Sequence, residues 1–93
     1  MPRSYHVYIL SNTSLTLYIG VTGRIAHRLE QHRRGEGSAF ARRYHVGELV
    51  HLEEFARAID AIEREKQLKR WSRRKKLELI KRGNPTMSDL RIL

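Results

Sequence analysis

The chain reads as a small α+β domain with its elements ordered β-β-α-β-α-α, forming a three-stranded, mainly antiparallel sheet flanked by helices. Three observations predict this. Two short strand-like runs near the start, one aromatic and branched and one alternating with period two, are separated by turn residues. A third apolar run follows further along, and three segments have helical spacing with polar faces. With 93 residues there is room for one core and no second lobe, so residues 1–93 read as one domain. Its body spans about residues 5–85, and residues 86–93 read as a short tail.

The elements follow in order. "YHVYIL" (Tyr5–Leu10) is aromatic and branched, as strands are, and "SNTS" (Ser11–Ser14) is turn chemistry. "LTLYIGVT" (Leu15–Thr22) alternates strictly. Leu15, Leu17, Ile19 and Val21 share one face, and Tyr18 and Gly20 lie together on the other. The two runs predict a hairpin. "GRIAHRLEQHRRG" (Gly23–Gly35) reads as a helix closed by glycine, and "EGSAFARRY" as a connection with room for a helical turn. "GELVHLEEF" (Gly47–Phe55) is the third strand, and "ARAIDAIEREKQLKRW" (Ala56–Trp71) a long helix. Ser72 is placed to cap a last helix, "RRKKLELIKR", which "GNP" (Gly83–Pro85) stops.

Composition narrows the partners. Nineteen Lys and Arg against ten Asp and Glu give a net charge of +9, which favours a polyanion, nucleic acid before an anionic membrane surface. There are no cysteines, so disulfides and thiolate metal sites are excluded. No apolar stretch approaches the ~18 residues of a membrane span, and the start lacks a signal-peptide run. A cytoplasmic protein is expected.

Several residues break the structural pattern. Ile25 and Leu29 set a narrow apolar stripe on the first helix, and Arg28 and His32 lie one turn apart on its edge. By geometry alone they fit a snorkelling arginine and a core histidine as well as a site. On the long helix, Ala58, Ala61, Ile62 and Leu68 mark the apolar face, and Glu65 projects into its middle. A carboxylate there needs a partner: Arg28, a backbone cluster or a divalent cation. The run "KQLKRWSRRKK" (Lys66–Lys76) can neutralise several phosphates; its Trp71 suits a core anchor first and a base-stacking ring second. The five histidines match no zinc spacing, and no P-loop or nucleophile elbow is present.

Taken together, "HVY" (His6–Tyr8), the intact "YIG" (Tyr18–Gly20), "RLEQH" with Arg28 and His32, "EREKQLK" with Glu65, and "GNP" with Asn84 resemble the GIY-YIG nuclease family. The resemblance covers roughly residues 5–85 and is nearest to its small, single-domain bacterial branch. It departs in the first tripeptide, which keeps only Tyr8, and at Val21, where repair-type relatives often carry a lysine. It implies a divalent-metal-dependent endonuclease that hydrolyses phosphodiester bonds in DNA, more than in RNA, in repair or processing. Tyr8, Tyr18, Arg28, His32 and Glu65 would be catalytic, with Glu65 also ligating Mg²⁺ or Mn²⁺. Lys66, Lys69, Arg70, Arg73, Arg74, Lys75 and Asn84 would bind nucleic acid. Arg28 would clamp phosphate oxygens in its planar fork. Tyr18 would position or deprotonate the water, and a phenol of ordinary pKa, about 10, needs a nearby cation for that. Tyr8 and His32 would order the site, with His32 the alternative base, and Gly20 would admit a close backbone approach. The alternative is a catalytically weak nucleic-acid-binding module on the same basic surface. A third reading is an adaptor whose basic face meets an acidic protein.

Overall fold

The computed structural model describes residues 3–92. Strand β1 (Tyr5–Ser11) pairs antiparallel with β2 (Leu17–Thr22) and with β3 (Glu48–Phe55), so the sheet order is β2-β1-β3. Helices α1 (Ile25–Arg33) and α2 (Ala39–Arg43) lie between β2 and β3 in the chain. Helices α3 (Ala58–Arg70) and α4 (Arg73–Gly83) follow β3, and a 3-10 turn spans Leu90–Ile92. This is the expected α+β order with one addition: the connection after α1 winds into the short helix α2.

As the central strand, β1 is covered on both sides, with every residue from Val7 to Ser11 buried. Period two sorts its side chains. Val7 and Ile9 join Ile19, Val50, Ala61, Leu68 and Ile80 in an aliphatic core beneath α3 and α4. Tyr8 and Leu10 face the other way, toward Ala41, Val46 and Leu49, with Ile25 and Leu29 of α1 against them. A bulge in β3 makes this two-sided packing possible. Ile9 lies opposite His51 and Leu10 opposite Leu49, so Val50 is the extra residue and turns into the aliphatic core.

Local chemistry explains where elements begin and end. Strand β2 starts at Leu17 and not Leu15, because Leu15 takes a left-handed φ of 59° and the Asn12 carboxamide accepts hydrogen bonds from the Ser14 and Thr16 backbone amides (2.9 and 3.0 Å). Helix α1 stops at Gly35, whose φ of +78° a side chain would resist. Ser72 caps α4 as expected, its hydroxyl accepting from the Lys75 amide at 3.2 Å. Trp71 is the expected core anchor at the α3–α4 joint, packed against the aliphatic core with Arg64 and Lys75 over its ring.

Two expectations are revised. Ile62 is 38% exposed, so the apolar line on α3 runs through Ala61 and Leu68, and Glu65 sits on that line. The segment after Pro85 is more than a tail. Met87 is buried in the aliphatic core, and the Asp89 carboxylate accepts from the Leu49 amide at 3.3 Å, tying residues 87–91 back to β3. Asp89 in turn holds Arg91 at 2.8 Å, and this pair keeps its carboxyl below the usual range.

A second polar lock joins β3 to α3. Arg64 donates to both oxygens of Glu53 (2.8 and 3.0 Å), and the His51 ring meets the same carboxylate at 2.8 Å. With the His51 hydrogen bond as the largest cause, and the Arg64 bonds and charge after it, the Glu53 carboxyl is held down at about 2.

Candidate active site

The α1/α2 side of the sheet gathers aromatic rings around one buried histidine. The Tyr8 hydroxyl and His32 Nε2 are 3.0 Å apart, and the Tyr8 and Tyr18 ring centroids lie 5.7 and 5.2 Å from that of His32. Tyr8 and Tyr18, on neighbouring strands, are 6.2 Å apart. Sequence period put Tyr18 and Gly20 on one face; the register adds Tyr8 directly opposite Gly20. A Cβ on Gly20 would collide with the Cζ and hydroxyl of Tyr8. The glycine of "YIG" therefore makes room for the Tyr8 ring itself, not for a backbone approach.

A second glycine frames the histidine. A Cβ on Gly37 would stand 2.6 Å from His32 Nδ1, so the loop after α1 closes over the ring only because residue 37 has no side chain. Nδ1 is buried without a hydrogen-bond partner among the described residues. Burial, and then the Arg28 charge, lowers the His32 pKa below its ordinary value, so the ring is neutral near pH 7. A buried unpaired N–H is a rarer and costlier orphan than an unpaired acceptor. The tautomer with its proton on Nε2 avoids that orphan and lets His32 donate to the Tyr8 oxygen.

In that tautomer the Tyr8 hydroxyl keeps its own proton available for a second hydrogen bond. Burial is the largest force raising the Tyr8 pKa, followed by the neighbouring Tyr18; Arg28 opposes, and Glu65 adds to the rise. Tyr8 thus keeps its proton. Tyr8, Tyr18, Arg28, His32 and Glu65, which come from β1, β2, α1 and α3, are brought to one neighbourhood.

Glu65 has a side chain only 16% exposed, and its ion-pair partner is Lys69, one turn on, at 3.3 Å. This replaces Arg28 as its protein counter-charge. Among the described residues no three His, Cys, Asp or Glu side chains cluster as a closed metal cage. One carboxylate fits Mg²⁺ or Mn²⁺ nonetheless, since such ions keep several waters and take further oxygens from a phosphate.

The basic residues are less uniform. Lys66 and Arg70 are exposed and have no ion-pair partner among the described residues. Lys69 pairs with Glu65, Arg74 with Glu78 at 3.2 Å, and Lys75 lies 4.5 Å over Trp71. Arg73 donates to the Leu15 carbonyl at 2.5 Å, bracing the hairpin turn. Asn84 stands apart from this surface. It is buried, donates to the Val50 and Ser88 carbonyls (3.1 and 2.8 Å) and accepts from the Ser88 amide (3.1 Å), so it clamps the segment after α4 to β3.

Sequence reasoning passed over Gly37, Asn12 and the aromatic pair Phe40 and Tyr44. The Phe40 ring stacks on Tyr18 (6.1 Å, 28°), and Asn12 Nδ2 donates to the Tyr44 carbonyl at 2.6 Å. An "N-T-S" turn next to a buried strand was the available signal for Asn12; nothing local marked the others.

A hairpin bearing two tyrosines, an arginine helix beside it and a glutamate helix beyond make up a small α+β domain. The model of the GIY-YIG catalytic domain matches residues 4–78, and the chain belongs to the GIY-YIG family, a family of nucleases. It is similar to a UPF0213 protein of Syntrophus aciditrophicus, 41% identical over 88 residues that cover 94% of this chain and all of that one. A UPF0213 protein of Natronomonas pharaonis is 39% identical over 80 residues, covering 86% and 94% of the two chains. The solution NMR structure of a UPF0213 protein from Bacillus halodurans shares the fold, with a TM-score of 0.60, 29% identity and coverage of 89% and 88%. No described helix is long and apolar enough to cross a membrane.

Proposed function

We propose that the protein is a divalent-metal-dependent endonuclease that hydrolyses phosphodiester bonds in DNA. The observation that carries this reading is the gathering of Tyr18, Arg28, His32 and Glu65 around Tyr8, on a chain of net charge +9. Each of these residue types supplies something the reaction needs.

Arg28 binds the scissile phosphate, its fork matching two non-bridging oxygens and offsetting the negative charge that grows on them in the transition state. Tyr18 orients the attacking water and takes its proton as the new P–O bond forms. Tyr8, held protonated, donates toward Tyr18 and so favours the phenolate that this transfer requires. His32 fixes Tyr8 from behind; as an Nε2–H donor it is a positioning group, not the base. Glu65 would hold Mg²⁺ or Mn²⁺, which supplies Lewis acidity at the phosphate and at the departing oxygen when bound. Lys66, Lys69, Arg70, Arg73, Arg74 and Lys75 draw in the flanking backbone, making binding strongly dependent on salt.

The test is cleavage of supercoiled plasmid, single-stranded DNA and branched duplexes in Mg²⁺ or Mn²⁺, beside Glu65→Ala. Cutting by the wild type and not by the variant is expected. If neither cuts while both bind DNA with the same salt dependence, the fold serves binding alone. Val21, at a position where repair-type relatives often carry a lysine, is the feature that favours that second reading.

A further inference from the structure

Helix α2 and the residue that ends it turn two aromatic side chains to solvent. Phe40 and Tyr44 are 44% and 43% exposed, an unusual use of rings in a chain only 8% aromatic. They lie four residues apart on the same helical face, with centroids 4.7 Å apart. The opposite face of the helix is anchored, because Ala41 is buried, as is Val46 just beyond. Ser38 caps the start of α2, accepting from the Ala41 amide at 3.3 Å, and Asn12 grips the Tyr44 carbonyl at its end. The rings are held outward by the fold and are not left over from it.

The row of rings is continuous with the reacting pocket. Tyr8 neighbours Tyr18, Tyr18 stacks on Phe40, and Phe40 meets Tyr44. Arg43 lies over the outermost ring, its guanidinium carbon 5.7 Å from the Tyr44 centroid, and Arg42 is exposed on the same helix. Flat π-faces beside exposed arginines suit a nucleobase attached to its phosphate. The rings accept the base by stacking, whatever its identity, and the arginines neutralise the backbone. An acidic peptide would use the arginines and leave the rings without work.

We infer that Phe40 and Tyr44 form a stacking subsite for one unpaired nucleobase next to the scissile phosphate, with Arg42 and Arg43 holding the adjoining backbone. This rests on the nucleic-acid reading above and specifies which part of the protein meets the bases. Because α2 is already fixed at both ends, little ordering cost opposes the contact.

The test is equilibrium binding of the wild-type protein, in EDTA so that nothing is cut, to oligonucleotides carrying the fluorescent base 2-aminopurine at one position moved along the strand. Stacking should quench one position and spare its neighbours. Phe40→Leu and Tyr44→Leu keep apolar bulk but lose the π-face; each should abolish that quench and weaken binding roughly tenfold, with the salt slope unchanged. Tyr44→Phe should restore both. Quenching equal in wild type and leucine variants, or binding with no quenched position, would overturn the subsite. So would a shift in self-association on Phe40→Leu with quenching intact, which would assign the patch to a second copy. If the quench behaves as expected but no DNA is cut with Mn²⁺, the subsite stands and the nuclease reading fails.

Discussion

On the α3/α4 side of β1, Val7 and Ile9 are sealed among Ala61, Leu68 and Ile80; on the α1/α2 side, Tyr8 is just as buried but carries a hydroxyl held by His32. The aliphatic side asks of its residues only volume and apolarity, so it tolerates volume-conserving exchange. The aromatic side depends on spaces that two glycines leave open and on one ring's protonation. One strand, by alternating, serves both. The core braces the sheet, and the sheet holds the two tyrosines in place.

The largest expected effect separates the two sides by activity. Glu65→Gln and Arg28→Ala should each lower the initial rate of plasmid nicking by about a hundredfold or more, while thermal denaturation shifts little, because glutamine keeps the shape of the Glu65 side chain and its partner Lys69 is half exposed. A large drop in Tm with either variant would mean that these residues hold the fold together. Leu68→Ala should do the reverse. Removing a side chain with no exposure should cost about 2–5 kcal/mol in urea denaturation, leaving activity per folded molecule unchanged.

Acid should next expose the lock on the aliphatic side. Glu53 is held at about 2 against an ordinary 4.5, so the folded state binds fewer protons than the unfolded chain between those values. The lock's contribution, on the order of 2 kcal/mol, is fully present above pH 4.5 and is lost as pH falls toward 2. A chemical-denaturation series over that range, beside Glu53→Gln, checks this; parallel curves for the two proteins would refute it.

Tyr8→Phe removes the acceptor of the His32 proton and should destabilise by about 1–3 kcal/mol, the cost of a buried orphan donor. Cleavage should fall in addition, by more than the loss of folded protein explains. The smallest effect sharpens the same point. Because His32 has a lowered pKa, it should titrate below the ordinary imidazole value. Its share of stability is present above that value and is lost as pH falls below it. Nitrogen chemical shifts of the neutral ring should report the Nε2–H form; an Nδ1–H pattern would make Tyr8 the donor and reopen His32 as a base.

Much of the site was legible because it obeys periodicity. Period two placed Tyr18 beside Gly20, and helical spacing placed Arg28 beside His32 and set Glu65 on an apolar line. What stayed hidden involved residues far apart in the chain. Ile62 has the composition of a core residue, but the line through Ala61 and Leu68 leaves it outside. Asn84 carries a polar amide that looks available until its bonds to Val50 and Ser88 are seen.

By itself, the sequence determined the order of elements, the two alternating faces of the hairpin, the basic charge and the residue types able to act on a phosphate. These depend on neighbours within a turn or a strand, where backbone geometry alone relates side chains. Only the tertiary structure decided that Gly20 makes room for Tyr8, that Gly37 shuts over His32, and that Phe40 and Tyr44 look outward. Most of those outcomes turn on sterics and burial between segments that meet only when the chain has packed, and no local pattern encodes them.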